Sequence, residues 1–388
     1  MYSNLSTIAK ESLIDYSSTL DSKIPFSEYI AHSRSIINER RLDLQQNPVN
    51  SKLILDANSP FELNPANPIY GSSRLKYGVL LIHGLLDCPF TLRDIAKRLQ
   101  ANGMLCRAVL LPGHGTTPSD LLSISYHDWI QSVRYGIETL KKEVDQIYLV
   151  GYSTGATLSV FHALQQTKIA GIILLSPAIQ IKAPVDIVVG WHSLTRWFTN
   201  NKQWLYREEE IDYAKYLSIP FNAVTQVGLL TQLVRELYQT HELSCPVFMA
   251  VSHEDETISS HRAIDFFSSL KNPNSKLLLY TSYNHTYPDS RILTRQTSSP
   301  DLHIQHFSHA SIPFAPNNSH YGRNGDYAHA SHAHTNGVIF GAYNRIEVNM
   351  YEFLHKLKLI KNKRQELTYN PDFDFMSEKI VQFICLGI

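Results

Sequence analysis

Apolar positions along this chain gather into six short runs: Gly78-Val79-Leu80-Leu81-Ile82, Leu105 to Leu111, Gln146 to Val150, Ile169 to Leu175, Pro246 to Val251 and Lys276 to Tyr280. Each is short for a helix and too continuous for a strand with one wet face. Strands covered on both sides, as in parallel sheets, have this texture. Between the runs lie longer segments with helical spacing: Phe90 to Asn102, Tyr126 to Glu143, 154–166 and Ser260 to Leu270. Strand and helix alternating at this distance predict βαβ units and a mostly parallel sheet with helices on both faces.

The alternation fails in three places. Residues 1–46 read as polar helix, and 56–73, rich in Asn, Pro and Ser, as a surface loop. We therefore divide the chain into an N-terminal helical extension and loop, 1–75, and an α/β domain, 76–388. From 182 to 244 the pattern gives way to Trp191, Trp197, Trp204 and a helical run from Phe221 to Thr240, which predicts a helical cap inserted over the sheet. Residues 281–345 read as a long polar insertion. The chain closes on a predicted helix, Phe375 to Cys385, whose Met376, Ile380, Phe383 and Ile384 recur at helical spacing and predict one docked face.

Composition narrows the classes of function. In 388 residues, Lys+Arg and Asp+Glu balance at 35 each, so no global field draws in nucleic acid or an anionic surface. The four cysteines are scattered without a C-x-x-C, as expected of reduced core thiols. Lys10, Glu11 and Asp15 interrupt the first twenty residues, which argues against a secretory signal, and no stretch approaches the length of a membrane span. A cytoplasmic protein is the default expectation; export by a machine that reads no N-terminal signal would leave no trace here.

The chemistry begins at Gly151-Tyr152-Ser153-Thr154-Gly155, placed between a predicted strand and a predicted helix. G-x-S-x-G in that context is a nucleophile elbow, a turn so tight that glycines must flank the serine. A serine hydroxyl attacks only when a base takes its proton and an acid orients the base. On this architecture the acid follows a later strand, and Asp255 in Ser252-His253-Glu254-Asp255-Glu256 is the best placed, with Glu254 and Glu256 as rivals. Two histidines compete for the base. His285, 30 residues past Asp255 and shortly after a strand, has the preferred spacing, while His309 lies 54 past it. An oxyanion site needs two aimed backbone N–H groups. Thr154, directly after the serine, supplies one, and Leu85 in His83-Gly84-Leu85 supplies the other.

Each of these residue types also has an ordinary structural use. Acidic and histidine side chains in loops commonly serve only as solvent contacts, and His-Gly can be a plain strand-to-helix turn. His329-Ala330-Ser331-His332-Ala333-His334 invites a metal reading, but its spacing is loose, its surroundings are Gly, Ala and Asn, and no cysteine is near. We read it as a polar loop and expect no metal. Cys88 has no base partner and reads as a packed thiol.

Taken together, His83-Gly84-Leu85, Leu111-Pro112-Gly113-His114-Gly115-Thr116, Asp128-Trp129, the serine motif and the Asp255 loop resemble the serine α/β-hydrolase superfamily, in particular its carboxylesterase and monoacylglycerol-lipase-like branch. The resemblance covers residues 76–285 and the last helix. It implies an eight-stranded sheet, Ser153 as nucleophile, Asp255 as acid, and Leu85 and Thr154 as oxyanion donors. Phe307-Ser308-His309-Ala310-Ser311-Ile312-Pro313-Phe314, His320-Tyr321-Gly322 and Leu367-Thr368-Tyr369-Asn370-Pro371-Asp372 resemble a bacterial subgroup in which the Ser-His pair supplies the base. That resemblance favours His309 against the spacing argument.

The expected activity is hydrolysis of small carboxylic esters through an acyl-enzyme, without a cofactor. The acyl group is expected to be apolar, and the cap tryptophans either line its pocket or pack the cap onto the body. The alternatives are thioester or peptide hydrolysis or acyl transfer on the same triad, or a hydrolase-fold protein that binds ligands without catalysis.

Overall fold

The computed structural model describes residues 20–41, 43–44, 50–66, 76–165, 168–179, 203–284, 286–327 and 338–386. In chain order the elements are α1 (Phe26–Arg40), α2 (Ser51–Asn58), β1 (Phe61–Leu63), β2 (Tyr77–Ile82), α3 (Arg93–Ala101), β3 (Leu105–Val109), α4 (Tyr126–Leu140), β4 (Gln146–Tyr152), α5 (Thr154–Gln165) and β5 (Ile169–Leu175). A short hairpin, β6 (Trp204–Tyr206) and β7 (Ile219–Pro220), leads into α6 (Phe221–Thr240). Then come β8 (Val247–Ser252), α7 (Ser260–Ser269), β9 (Lys276–Thr281), β10 (Ile292–Gln296), β11 (Val338–Gly341), α8 (Arg345–Lys356), β12 (Lys363–Glu366) and α9 (Phe373–Leu386).

The six apolar runs form six neighbouring parallel strands of one eight-stranded sheet, in the order β1-β3-β2-β4-β5-β8-β9-β10. Their continuity follows from burial on both faces. Leu80, Ile82, Leu149, Ile172, Leu174, Met249, Val251, Leu277 and Leu279 point into one core, under α4, α5, α6 and α7. Their alternates Val79, Leu81, Val150, Ile173, Leu175, Phe248, Ala250 and Leu278 point into the other, under α3 and α9. The period-two geometry of a strand assigns neighbours to opposite faces, so no position in these runs can be polar without cost. In α9 the docked face is as predicted: Met376, Ile380, Phe383 and Ile384 are all buried.

Two expectations are corrected. The segment 56–73, read as surface loop, holds the three-residue strand β1, which pairs antiparallel with β3 at the sheet edge. Buried Arg107 of β3 fixes it by ion pairs to Glu62 and to Glu143, both at 2.6 Å. A half-buried three-residue strand is too short to impose a visible period. The insertion 281–345 is also not simply polar. It contributes β10, parallel to β9, and buries Ile304, Phe307, Ile312, Phe314 and Tyr321 in the second core. Apolar residues placed singly in irregular chain leave no period to read. The cluster at 329–334, Trp191 and Trp197 lie outside the described residues.

In the N-terminal segment, α1 packs Phe26 and Tyr29 into the first core. The Tyr29 hydroxyl donates to the Leu110 carbonyl at 3.1 Å and accepts the Leu110 N–H at 3.0 Å. A buried phenol satisfied on both sides anchors the helix to the chain leaving β3. In the region predicted as a cap, α6 buries Ala223, Val227, Leu230 and Val234 against the first core.

Candidate active site

β4 turns into α5 through a single residue, Ser153, whose φ is +53°. Non-glycine residues avoid this left-handed region, so the turn must be enforced by its surroundings. A Cβ at Gly151 would come 2.3 Å from the Gly155 carbonyl oxygen, and one at Gly155 would come 2.0 Å from that of Ile82. Only glycine fits either place. The Ser153 N–H donates to the Leu175 carbonyl at 2.9 Å, and its carbonyl accepts from Ala156 and Ala178. The side chain thus stands half-exposed at the carboxyl edge of the sheet, over the N-terminus of α5, where backbone N–H groups favour developing negative charge.

Two side chains converge on that hydroxyl. His309 Nε2 lies 3.1 Å from Ser153 Oγ, and His309 Nδ1 lies 2.8 Å from Asp255 Oδ2. A carboxylate can only accept, so Nδ1 carries the proton and Nε2 is left free to accept one from the serine. Asp255 is fully buried, and its other oxygen accepts the N–H groups of Thr257 and Ile258 at 2.8 and 2.9 Å. Asp255 is therefore fixed by backbone through one oxygen while the other holds the His309 ring. Its rivals are used otherwise: Glu254 accepts from the Ser282 N–H and hydroxyl, and Glu256 accepts the His309 N–H. His285 lies outside the described residues.

The loop bearing His309 is far from regular structure in sequence but firmly held in space. Ser252 at the end of β8 donates its hydroxyl to the Phe307 carbonyl at 2.7 Å, and the Tyr152 hydroxyl donates to the His309 carbonyl at 3.3 Å. The Ser308 hydroxyl donates to the Leu367 carbonyl and accepts the Ser311 N–H, so this serine braces the loop. Burial, followed by the Asp255 charge, raises the Glu256 carboxyl well above its ordinary range. Sequence reasoning treated Glu256 only as a competitor for the acid; its service to the His309 backbone has no signature in one sequence.

Thr154 follows Ser153 directly as the first residue of α5, and Leu85 lies in the loop that leaves β2. A Cβ at Gly84 would lie 3.1 Å from Ser153 Cβ, so the loop runs directly against the serine. Two neutral histidines hold that loop. His83 Nε2 accepts the Leu111 N–H at 3.0 Å, and His114 Nε2 accepts the Leu86 N–H at 3.1 Å. Burial pushes His114 down to about 4 and also holds His83 well below its ordinary value, which keeps both rings uncharged and able to accept. Leu86 itself sits at φ +68°. This accounts for the Gly113-His114-Gly115 motif, which sequence reasoning could quote but not explain.

Asp87, two residues past Leu85, was also missed. The same Gly84 point lies 2.7 Å from Asp87 Oδ2, and the residue is 7 % exposed. Burial raises its carboxyl to about 6, against the opposing pull of Lys215 and His309. A carboxyl raised on folding holds its proton more tightly in the native chain, so stability falls as pH climbs from about 4 to about 6 and stays lower above that. Asp87→Asn removes this term. The variant's stability is expected to gain on wild type through that window and to hold its gain at neutral pH, by up to about 3 kcal/mol, seen as a higher melting temperature. Melting curves at matched pH values check it; a constant offset from pH 4 to 7 would contradict the desolvated carboxyl.

Among the described residues no group of three His, Cys, Asp or Glu side chains is placed to hold a metal ion, and no helix is long and apolar enough to cross a membrane.

A family model described as serine aminopeptidase, S33, matches residues 73–288, more than half of the chain. A thermostable monoacylglycerol lipase from Bacillus sp. (strain H-257) is 29 % identical over 229 residues, which span 57 % of this chain and 88 % of that protein. Among solved structures, a lipolytic enzyme from the metagenome-derived pair LipS and LipT is similar at TM-score 0.49 and 21 % identity, covering 57 % of this chain and 86 % of that one. A Paleococcus ferrophilus monoacylglycerol lipase is similar at TM-score 0.45 and 19 % identity, covering 57 % and 88 %. The match ends at residue 288, before His309, so the imidazole beside Ser153 comes from chain outside the matched span. On the family match and the mostly parallel eight-stranded sheet, the chain belongs to the family described as serine aminopeptidase, S33, and has the α/β-hydrolase fold.

Proposed function

We propose that this protein hydrolyses carboxylic esters of small molecules through an acyl-enzyme on Ser153. The observation that carries the reading is the continuous relay from Asp255 through His309 to Ser153, at 2.8 and 3.1 Å, on an elbow that leaves the hydroxyl partly open. In this reading His309 takes the serine proton as Oγ attacks the ester carbonyl. Asp255 stabilises the imidazolium, and the N–H groups of Leu85 and Thr154 hold the oxyanion. His309 then protonates the leaving alcohol, and the same ring activates the water that frees the acid. The similar Bacillus protein is by its name a lipase, which supports an ester and an apolar acyl group over an amide.

A substrate panel tests the reading. Purified protein is expected to turn over p-nitrophenyl acyl esters and a monoacylglycerol, and to leave aminoacyl anilides largely untouched. Turnover of the anilides alone would replace ester hydrolysis with peptide hydrolysis on the same residues.

A further inference from the structure

The segment that follows the late insertion carries a surface that the chemistry above does not use. From Asn349 to Asn362 the exposed side chains are Met350, Phe353, Leu357 and Leu359, together with Lys356, Lys358, Lys361 and two asparagines. Met350, Phe353 and Leu357 recur at helical spacing along α8, so they form one stripe, and it faces outward rather than into the core. Their exposures of 49, 61 and 52 % are high for such side chains. The two acids of the helix, Glu347 and Glu352, are half-buried, so every charge in the exposed set is positive.

The helix end extends the pattern. The N–H of Lys358 bonds the His355 carbonyl and that of Leu359 bonds the Leu354 carbonyl, the pairing of a Schellman cap, with Lys358 at φ +57°. In such a cap the residue in Leu359's place ordinarily tucks onto the preceding turn. Here Leu359 is 68 % exposed. A left-handed lysine in a place that favours glycine thus holds a leucine out beside the stripe.

We propose that α8 and its cap dock on an anionic lipid surface, with Met350, Phe353, Leu357 and Leu359 entering the headgroup boundary and Lys356, Lys358 and Lys361 meeting the lipid charges. Contiguous exposed apolar residues mark interaction sites, and lysines around an apolar stripe with no exposed acid match an anionic interface. The protein as a whole is electrically neutral, so this attraction is local. The surface is joined to the site through one strand. β12 follows the cap and pairs with β11, and the next residue, Leu367, accepts the hydroxyl of Ser308 beside His309.

Co-sedimentation with vesicles tests this without reference to catalysis. The full chain is expected to bind vesicles of equimolar phosphatidylcholine and phosphatidylglycerol, to bind pure phosphatidylcholine weakly, and to release in high salt. Phe353→Ser with Leu357→Ser is expected to weaken partition at least about ten-fold. Lys358→Gln with Lys361→Gln is expected to weaken it about twenty-five-fold on anionic vesicles only, at about five-fold per lysine. Hydrolysis of a soluble short-chain p-nitrophenyl ester, followed in parallel, should stay at the wild-type rate and shows that the variants fold. Equal binding by wild type and variants, or no binding to anionic vesicles by wild type, would overturn the proposal. So would a stripe that is covered by a second copy, seen as a dimer that the serine pair dissociates while vesicles stay unbound.

Discussion

Ser153→Ala is expected to lower kcat on a soluble p-nitrophenyl ester by roughly four to six orders of magnitude while leaving KM within a few-fold. The reason is that no other described nucleophile shares the relay: Cys88 is buried, and its thiol is pushed up to about 12, where it stays protonated. Removing the base should cost nearly as much, so His309→Ala is expected to fall into the same range. The double variant should be no worse than either single one, because Ser153 and His309 act as a unit. Steady-state kinetics on the three proteins, with circular dichroism to show that each is folded, make the comparison. A His309→Ala enzyme that kept more than about a tenth of wild-type kcat would remove His309 from the role of base, since general-base assistance alone is worth about a hundred-fold or more.

The second large effect is on folding itself. Gly155→Ala adds one methyl group at a point 2.0 Å from the Ile82 carbonyl oxygen and 2.6 Å from that of His83. Both neighbours are backbone, on the central strand β2 and its outgoing turn, so neither can swing aside as a side chain would. The turn must open, and opening it separates α5 from β2 and re-aims the backbone N–H groups at the start of α5. We expect a loss of more than about 4 kcal/mol, enough to leave little folded protein at 37 °C. Chemical denaturation followed by circular dichroism measures it. Ser159→Ala, in the same helix, also affects a buried residue but removes one hydrogen bond to the Gly155 carbonyl and no backbone space, so it should cost only about 1 kcal/mol.

How far the sequence speaks for itself can be judged element by element. The six central strands were readable because burial on both faces makes polar residues there costly unless paired, as Arg107 is, and that cost leaves nearly continuous apolar runs. Helix α6 and the docked face of α9 were readable because a single buried face imposes a 3.6-residue period. Ser153 stood out because the turn around it admits glycine alone at Gly151 and Gly155. β1, β10 and the buried part of the insertion were not readable. They owe their places to partners distant in sequence, such as Arg107 for β1 and strand β9 for β10. The histidine shows the limit most clearly. Spacing favoured His285, because a base usually follows its strand closely, and only the resemblance of the 307–314 segment favoured His309. The loop can be long because Ser252, Tyr152, Glu256 and Leu367 fix it at four points, and such bonds leave no local pattern. Asp87 and His114 were hidden for the same reason: their importance lies in what surrounds them.

The most direct test of the central claim is covalent. Wild-type protein treated with a fluorophosphonate probe and digested should yield one labelled peptide, modified at Ser153. Labelling should be lost in Ser153→Ala and slowed at least about a hundred-fold in His309→Ala. A folded wild-type protein that takes no label, or one that carries it on another residue, would contradict the account.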